Sequence, residues 1–145
     1  MSKIDTALFF TSSVIEFIGR QTHNRREVVV DALGTDVDRI YHYADVFHCE
    51  PIEKVADDFI RRNNIRQGDY DNIASCQYAV PSYWDIGKVF ARLIRDCHPE
   101  DLLQGLRMVY HSFLANRITN FNSDLYYQPP DYLALCYHGG KIVED

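Results

Sequence analysis

Apolar residues recur along this chain at intervals of three and four, the period of a helix rather than a strand. Ala7, Phe10, Val14 and Phe17 mark one stripe of a first helix, which Gly19 helps to end. Asn24 then reads as the N-cap of "RREVVVDAL", with Gly34 as its stop. Three consecutive valines would suit a strand, but the cap and the glycine favour a short helix. Thr35 caps the next helix, where Asp36 and Asp38 sit in the first turn and complement the helix dipole. Val37, Ile40, Tyr41, Ala44, Phe47 and His48 form its expected buried face. Pro51 stands where a helix start tolerates proline. Ile52, Val55, Ala56, Phe59 and Ile60 then make a clean stripe, opposite the charged Glu53, Lys54, Asp57, Asp58, Arg61 and Arg62.

The pattern breaks over "IRQGDYDNIASCQYAVP", residues 65–81, within which "CQYAV" could run as a short extended segment. A connection this long needs either its own structure or a task. Pro81 ends it. Ser82 and Asp85 give S-x-x-D, the signature of a capping box. Tyr83, Ile86, Phe90, Leu93 and Cys97 share one face of the following helix; Asp85, Lys88, Arg92 and Arg95 share another. Asp85 and Lys88 are spaced for an i, i+3 ion pair. Gly87 between them costs about 1 kcal/mol against alanine, which implies close approach of another helix at that point. "HPEDLLQGLRMVYHSFLANRITNF" reads as one long helix, with Leu102, Leu106, Val109 and Phe113 along one side. "NSDLYYQPP" is a loop with a Tyr pair. Pro130 and Asp131 open a last helix that Gly139 and Gly140 close. The expected fold is all-α, a single compact bundle of six or seven helices over residues 1–145. A subdivision into 1–64 and 82–145, joined by the 65–81 loop, is the other arrangement the pattern allows.

Composition changes this picture little. The 145 residues are 46% hydrophobic and 25% charged, a globular balance. A chain of this length buries roughly two-thirds of its unfolded surface and folds without a staple. The net charge of -6 argues against a general nucleic-acid or anionic-membrane binder. No apolar run reaches the length of a membrane span. "MSKIDTALFFTSSVIEFIG" carries Asp5 and Glu16 and lacks a cleavage pattern, so no leader is expected. Cys49, Cys76, Cys97 and Cys136 form no C-x-x-C pair, which fits reduced thiols in a cytoplasmic protein.

Candidate chemistry is sparse. His42, Asp45 and His48 are a metal-ligand inventory, but their i, i+3, i+6 spacing drifts around a helix. No metal or other cofactor is expected. Phosphate-loop, nucleophile-elbow and H-E-x-x-H motifs are missing from the sequence. Arg92 and His98, with "LIRDC" between them, resemble the R-x(4–6)-H spacing of the helical HEPN ribonucleases. That resemblance implies a dimeric ribonuclease in which His98 is an acid or base. Arg107 and His111 are a second Arg–His pair, too closely spaced for that pattern.

The aromatics carry more information. Tyr43, Tyr70, Tyr78, Trp84, Tyr126 and Tyr127 lie off the core stripes, and Tyr and Trp near cations are the common material of binding hot spots. "IYHYADVFHCEPIEKVADDFI" resembles short, uncharacterised helical bacterial proteins over roughly residues 5–65. They occur in mobile-element and toxin–antitoxin-like gene neighbourhoods. The resemblance implies a partner-binding or neutralising role and carries no functional residue across. The expected function is thus non-enzymatic protein interaction or regulation, antitoxin-like. The partner would be another protein, such as a toxin or an enzyme, met by an acidic helical face and loop aromatics. Trp84, Asp85, Lys88, Tyr126 and Tyr127 are the expected contact residues. A homodimer packed through Gly87 is the remaining alternative.

Overall fold

The computed structural model of the chain describes residues 5–143, so the outer limits of the expected domain, 1 and 145, lie outside the described residues. Nine α-helices and one short 3-10 turn make up the described residues, which hold no strand. The first helix, α1 (Thr6–Thr22), starts at Asp5, whose carboxylate accepts the Leu8 N–H at 2.9 Å. Its expected single stripe proves too narrow. Phe10 and Val14 are buried while Ala7 and Phe17 are only half-buried, and Leu8, Thr11, Ser12, Ser13, Ile15, Glu16 and Ile18 are buried too. The reason is position: α1 is the central helix and is covered on several sides. Two of its hydroxyls are satisfied within the helix, Thr11 donating to the Ala7 carbonyl and Thr22 to that of Ile18.

α1 turns off at His23, which takes a left-handed conformation. Asn24 does not cap α2 (Arg26–Leu33); its side chain donates to Thr22 and to the Arg66 carbonyl, and the helix starts one residue later from Arg25. Gly34, at φ +54, ends α2 as expected. The helix expected after Thr35 is two: α3 (Asp36–His42) and α4 (Ala44–Phe47), broken at Tyr43. The break rotates the second piece, so Val37, Ile40 and Ala44 are buried while His48 is exposed. It also takes His42, Asp45 and His48 off a common helix. α5 (Ile52–Arg62) buries the stripe Ile52, Val55, Ala56 and Phe59.

The 65–81 segment is coil without a strand, "CQYAV" included. It is tied down at both sides. Gly68 and Tyr70 donate backbone N–H to the Thr22 and His23 carbonyls at 2.8 and 3.0 Å. Asn72 donates to the Thr119 carbonyl, and Asn122 exchanges hydrogen bonds with Ser75 and Gln77. α6 (Tyr83–Cys97) opens with the capping box that S-x-x-D announces. The single helix expected over residues 98–121 is again two, α7 (Leu102–Tyr110) and α8 (Phe113–Ile118). Ser112 makes the break, because its hydroxyl caps α8 by accepting the Ala115 N–H. The 3-10 turn Leu125–Tyr127 follows, and α9 (Pro130–Gly139) ends at Gly140, φ +71.

α1 and α6 are the most extensively packed pair. A β-carbon on Gly87 would lie 2.4 Å from the Ser13 hydroxyl and 2.9 Å from the Ser13 backbone. The close approach expected at Gly87 is therefore that of α1, and Gly87 is not left for a second copy of the chain. α2, α3, α4 and α5 pack on α1; α7 and α9 pack on α6; α2 also meets α7. One hydrophobic cluster draws from all of them. No helix among the described residues is long and apolar enough to cross a membrane.

Candidate functional site

A groove of about 260 Å³ runs between α6 and the segment formed by the 3-10 turn, Pro129, Pro130 and the start of α9. Local sequence builds each wall. The capping box holds the first turn of α6: the Ser82 hydroxyl accepts the Asp85 N–H at 3.0 Å, and the Asp85 carboxylate accepts the Ser82 N–H at 3.1 Å. Asp85 is thereby spent on the backbone, and the expected ion pair with Lys88 does not form among the described residues. Lys88 and Arg92, one turn apart, line the groove and have no ion-pair partner among the described residues. Val89, Leu93 and Leu133 supply its apolar lining.

On the opposite wall, buried Leu125 anchors the 3-10 turn. Tyr126 packs edge-on against Phe121, with ring centroids 5.9 Å apart, and against Tyr127 at 5.0 Å. Tyr127 is 65% exposed. Burial chiefly, then neighbours including Tyr127 and Asp85, raise the Tyr126 hydroxyl above its ordinary value. Pro130 at the first turn of α9 fixes the backbone there.

The groove joins Asp85, Lys88, Tyr126 and Tyr127 with Arg92. It does not include Trp84. That indole is half-buried on another side of α6, 5.4 Å from Phe9 and 5.2 Å from Tyr83. It lines a second cavity with Phe9, Phe10, Ala44 and His48. His98 is apart from the groove as well: its ring bonds the Tyr137 hydroxyl at 2.8 Å and its β-carbon lies against Gly105 of α7. Arg92 and His98 therefore line no common surface of this groove. The second Arg–His pair is taken up by polar contacts to α2 and α3, with Arg107 donating to the Gly34 carbonyl and Asp38, and His111 paired with Asp31 at 2.7 Å on the surface. The described residues hold no group of three His, Cys, Asp or Glu side chains that could bind a metal ion. The charged face of α5 is laced by its own pairs, Lys54 with Glu50 and Asp58, and Arg61 with Asp58.

One polar constellation escapes the sequence reading. Arg26 of α2 is buried and grips Glu16 of α1 through two 2.9 Å hydrogen bonds. Its remaining nitrogen donates to the Ala115 carbonyl and the Thr119 hydroxyl, and the guanidinium lies 4.7 Å over the Phe90 ring. Phe90 stacks on buried Tyr110, centroids 4.5 Å apart. A paired, fully bonded buried ion pair joins four helices here. The signal was a glutamate inside the otherwise apolar or small run "SSVIEFIG".

No protein-family model, curated protein or solved structure matches this chain.

Proposed function

We propose that this chain is a non-enzymatic protein-interaction or regulatory module, antitoxin-like in acting by occupying a partner protein, and that the α6–α9 groove receives that partner. The observation that carries the reading is the meeting of two cations unpaired among the described residues, Lys88 and Arg92, with a Tyr pair and a Pro pair above an apolar floor. Aromatic and Arg side chains around an apolar centre are the usual anchors of affinity. A rigid proline wall lowers the entropy lost on docking. The free charges are positive on a chain whose net charge is -6, so they select locally. The matching segment carries a carboxylate for Lys88 and Arg92 beside an apolar or aromatic side chain for the floor.

The test is capture of partners from lysate of the source cells with the wild type and with Lys88→Glu/Arg92→Glu, compared with Arg61→Glu on the exposed face of α5. The expected result is a stoichiometric protein lost with the groove variant, kept with Arg61→Glu, and competed by a peptide of its own acidic segment. Retention by the groove variant, or an eluate of RNA or this chain alone, overturns the proposal.

A further inference from the structure

A second site lies beneath the 65–81 loop, independent of the groove. There the last turns of α1, the loop and the end of α8 border a partly open cavity of about 50 Å³ lined by Glu16, Arg20, Arg26, Tyr70, Asn72 and Thr119, among others. The loop is its roof, fastened by the Gly68, Tyr70 and Asn72 hydrogen bonds to Thr22, His23 and Thr119.

Among the buried side-chain polar atoms that line this space, one is unmet. All three nitrogens of Arg26 have acceptors, and both oxygens of Glu16 are used by Arg26. Arg20 is the exception. Its Nη2 is shut off from solvent and has no hydrogen-bond partner among the described residues. No carboxylate among them comes within ion-pair distance of it. Its guanidinium instead faces the Phe121 ring at 5.5 Å. Burial lowers its pKa, against the opposing influence of Glu16.

An unmet buried donor costs ~1–3 kcal/mol, and more when charged; native folds supply such groups with a partner. Water would satisfy the N–H but leave the charge. An anion satisfies both. Glu16 and Arg26 pair with one another, which leaves Arg20 as the lining arginine without an ion pair among the described residues; Glu16 and Asp85 act on it only through space. Asp71, also at the cavity, commits one oxygen to the Ile73 and Ala74 N–H groups and is exposed. The space exceeds the ~10–15 Å³ that one water needs and is too small for a nucleotide.

We infer that this cavity binds a small monovalent anion, of chloride or acetate size, on Arg20 beneath the 65–81 loop. The bound anion fastens the loop to the end of α1.

Thermal unfolding of the full chain tests it. At fixed ionic strength, a bulky sulfonate is replaced stepwise by chloride, and separately by acetate. The expected result is a saturable rise in Tm of ~5–10 °C at a hundredfold excess over Kd, absent in Arg20→Gln and retained in Arg61→Gln. Whichever salt gives the rise names the anion. A flat wild-type titration with both salts means the cavity holds water only, and overturns the inference even where Arg20→Gln fails to fold. An equal rise in Arg20→Gln assigns the effect to the surface and overturns it too.

Discussion

Burial first, and the Asp96 carboxylate second, push the Cys97 thiol up to about 11, against an ordinary 9.0. Burial and Glu16 likewise push the Tyr110 hydroxyl well above its ordinary range. The sign of the consequence follows. In the unfolded chain the thiol releases its proton near 9.0, while the folded chain keeps it until about 11. Within that window the native state holds more protons than the unfolded one, so stability falls as pH rises. Below it the contribution is at its full value. The urea midpoint should therefore drop between about pH 9 and about pH 11, and less steeply in Cys97→Ala. A wild-type midpoint that holds steady over that range would contradict the assignment. At this scale the sequence was partly legible. The capping box could be read from Ser82 and Asp85, because cap geometry is local. The Asp85–Lys88 pair could not, because i, i+3 spacing does not say whether a first-turn carboxylate turns to the backbone or to a side chain. The Glu16–Arg26 pair joins two helices across ten positions, and no local rule links them.

Among the elements, Gly87 gives the sharpest expectation. Alanine is the better helix former by about 1 kcal/mol, so in an isolated helix Gly87→Ala would stabilise. Here the new methyl would sit 2.4 Å from the Ser13 hydroxyl and 2.9 Å from two backbone atoms of α1. The hydroxyl can swing aside; the backbone cannot. Forcing the two helices apart costs ~1–3 kcal/mol or more, which outweighs the propensity gain. Gly87→Ala should lower Tm, and a Tm equal to or above wild type would refute the close packing. The glycine's cost was legible in the sequence as a close approach, yet its partner was not. Helix period identified α1, α2, α5, α6 and α9 with modest shifts at their ends. It ran α3 into α4 and α7 into α8, because the apolar stripe continues across both breaks. Only the Ser112 cap marks the second break, and a serine inside a periodic run carries no such label by itself.

For the whole molecule, the 65–81 loop looks like a seam, yet the cohesive forces cross it. α1 belongs to the first half and α6 to the second, and these two form the central pair. Phe17 packs on Tyr83 with centroids 5.1 Å apart, Phe9 on Trp84 at 5.4 Å, and Arg26 over Phe90 at 4.7 Å. Arg26 also depends on Ala115 and Thr119 for two of its hydrogen bonds. A fragment of residues 1–64 would keep Glu16 and Arg26 but would lose those acceptors and expose the α6-facing side of α1. Neither 1–64 nor 82–145 should therefore fold alone. Each should show no cooperative urea transition, and the intact chain should lose amide protection in α1 and α6 together under hydrogen exchange. The groove makes the same demand, since its two walls are set by α6 and α9 against a core that α1 completes. A 1–64 fragment with a cooperative transition of its own would divide the molecule at the loop. The groove, whose lining lies wholly between Asp85 and Leu133, would then need only the second half, and a fragment of residues 82–145 should bind the same partner.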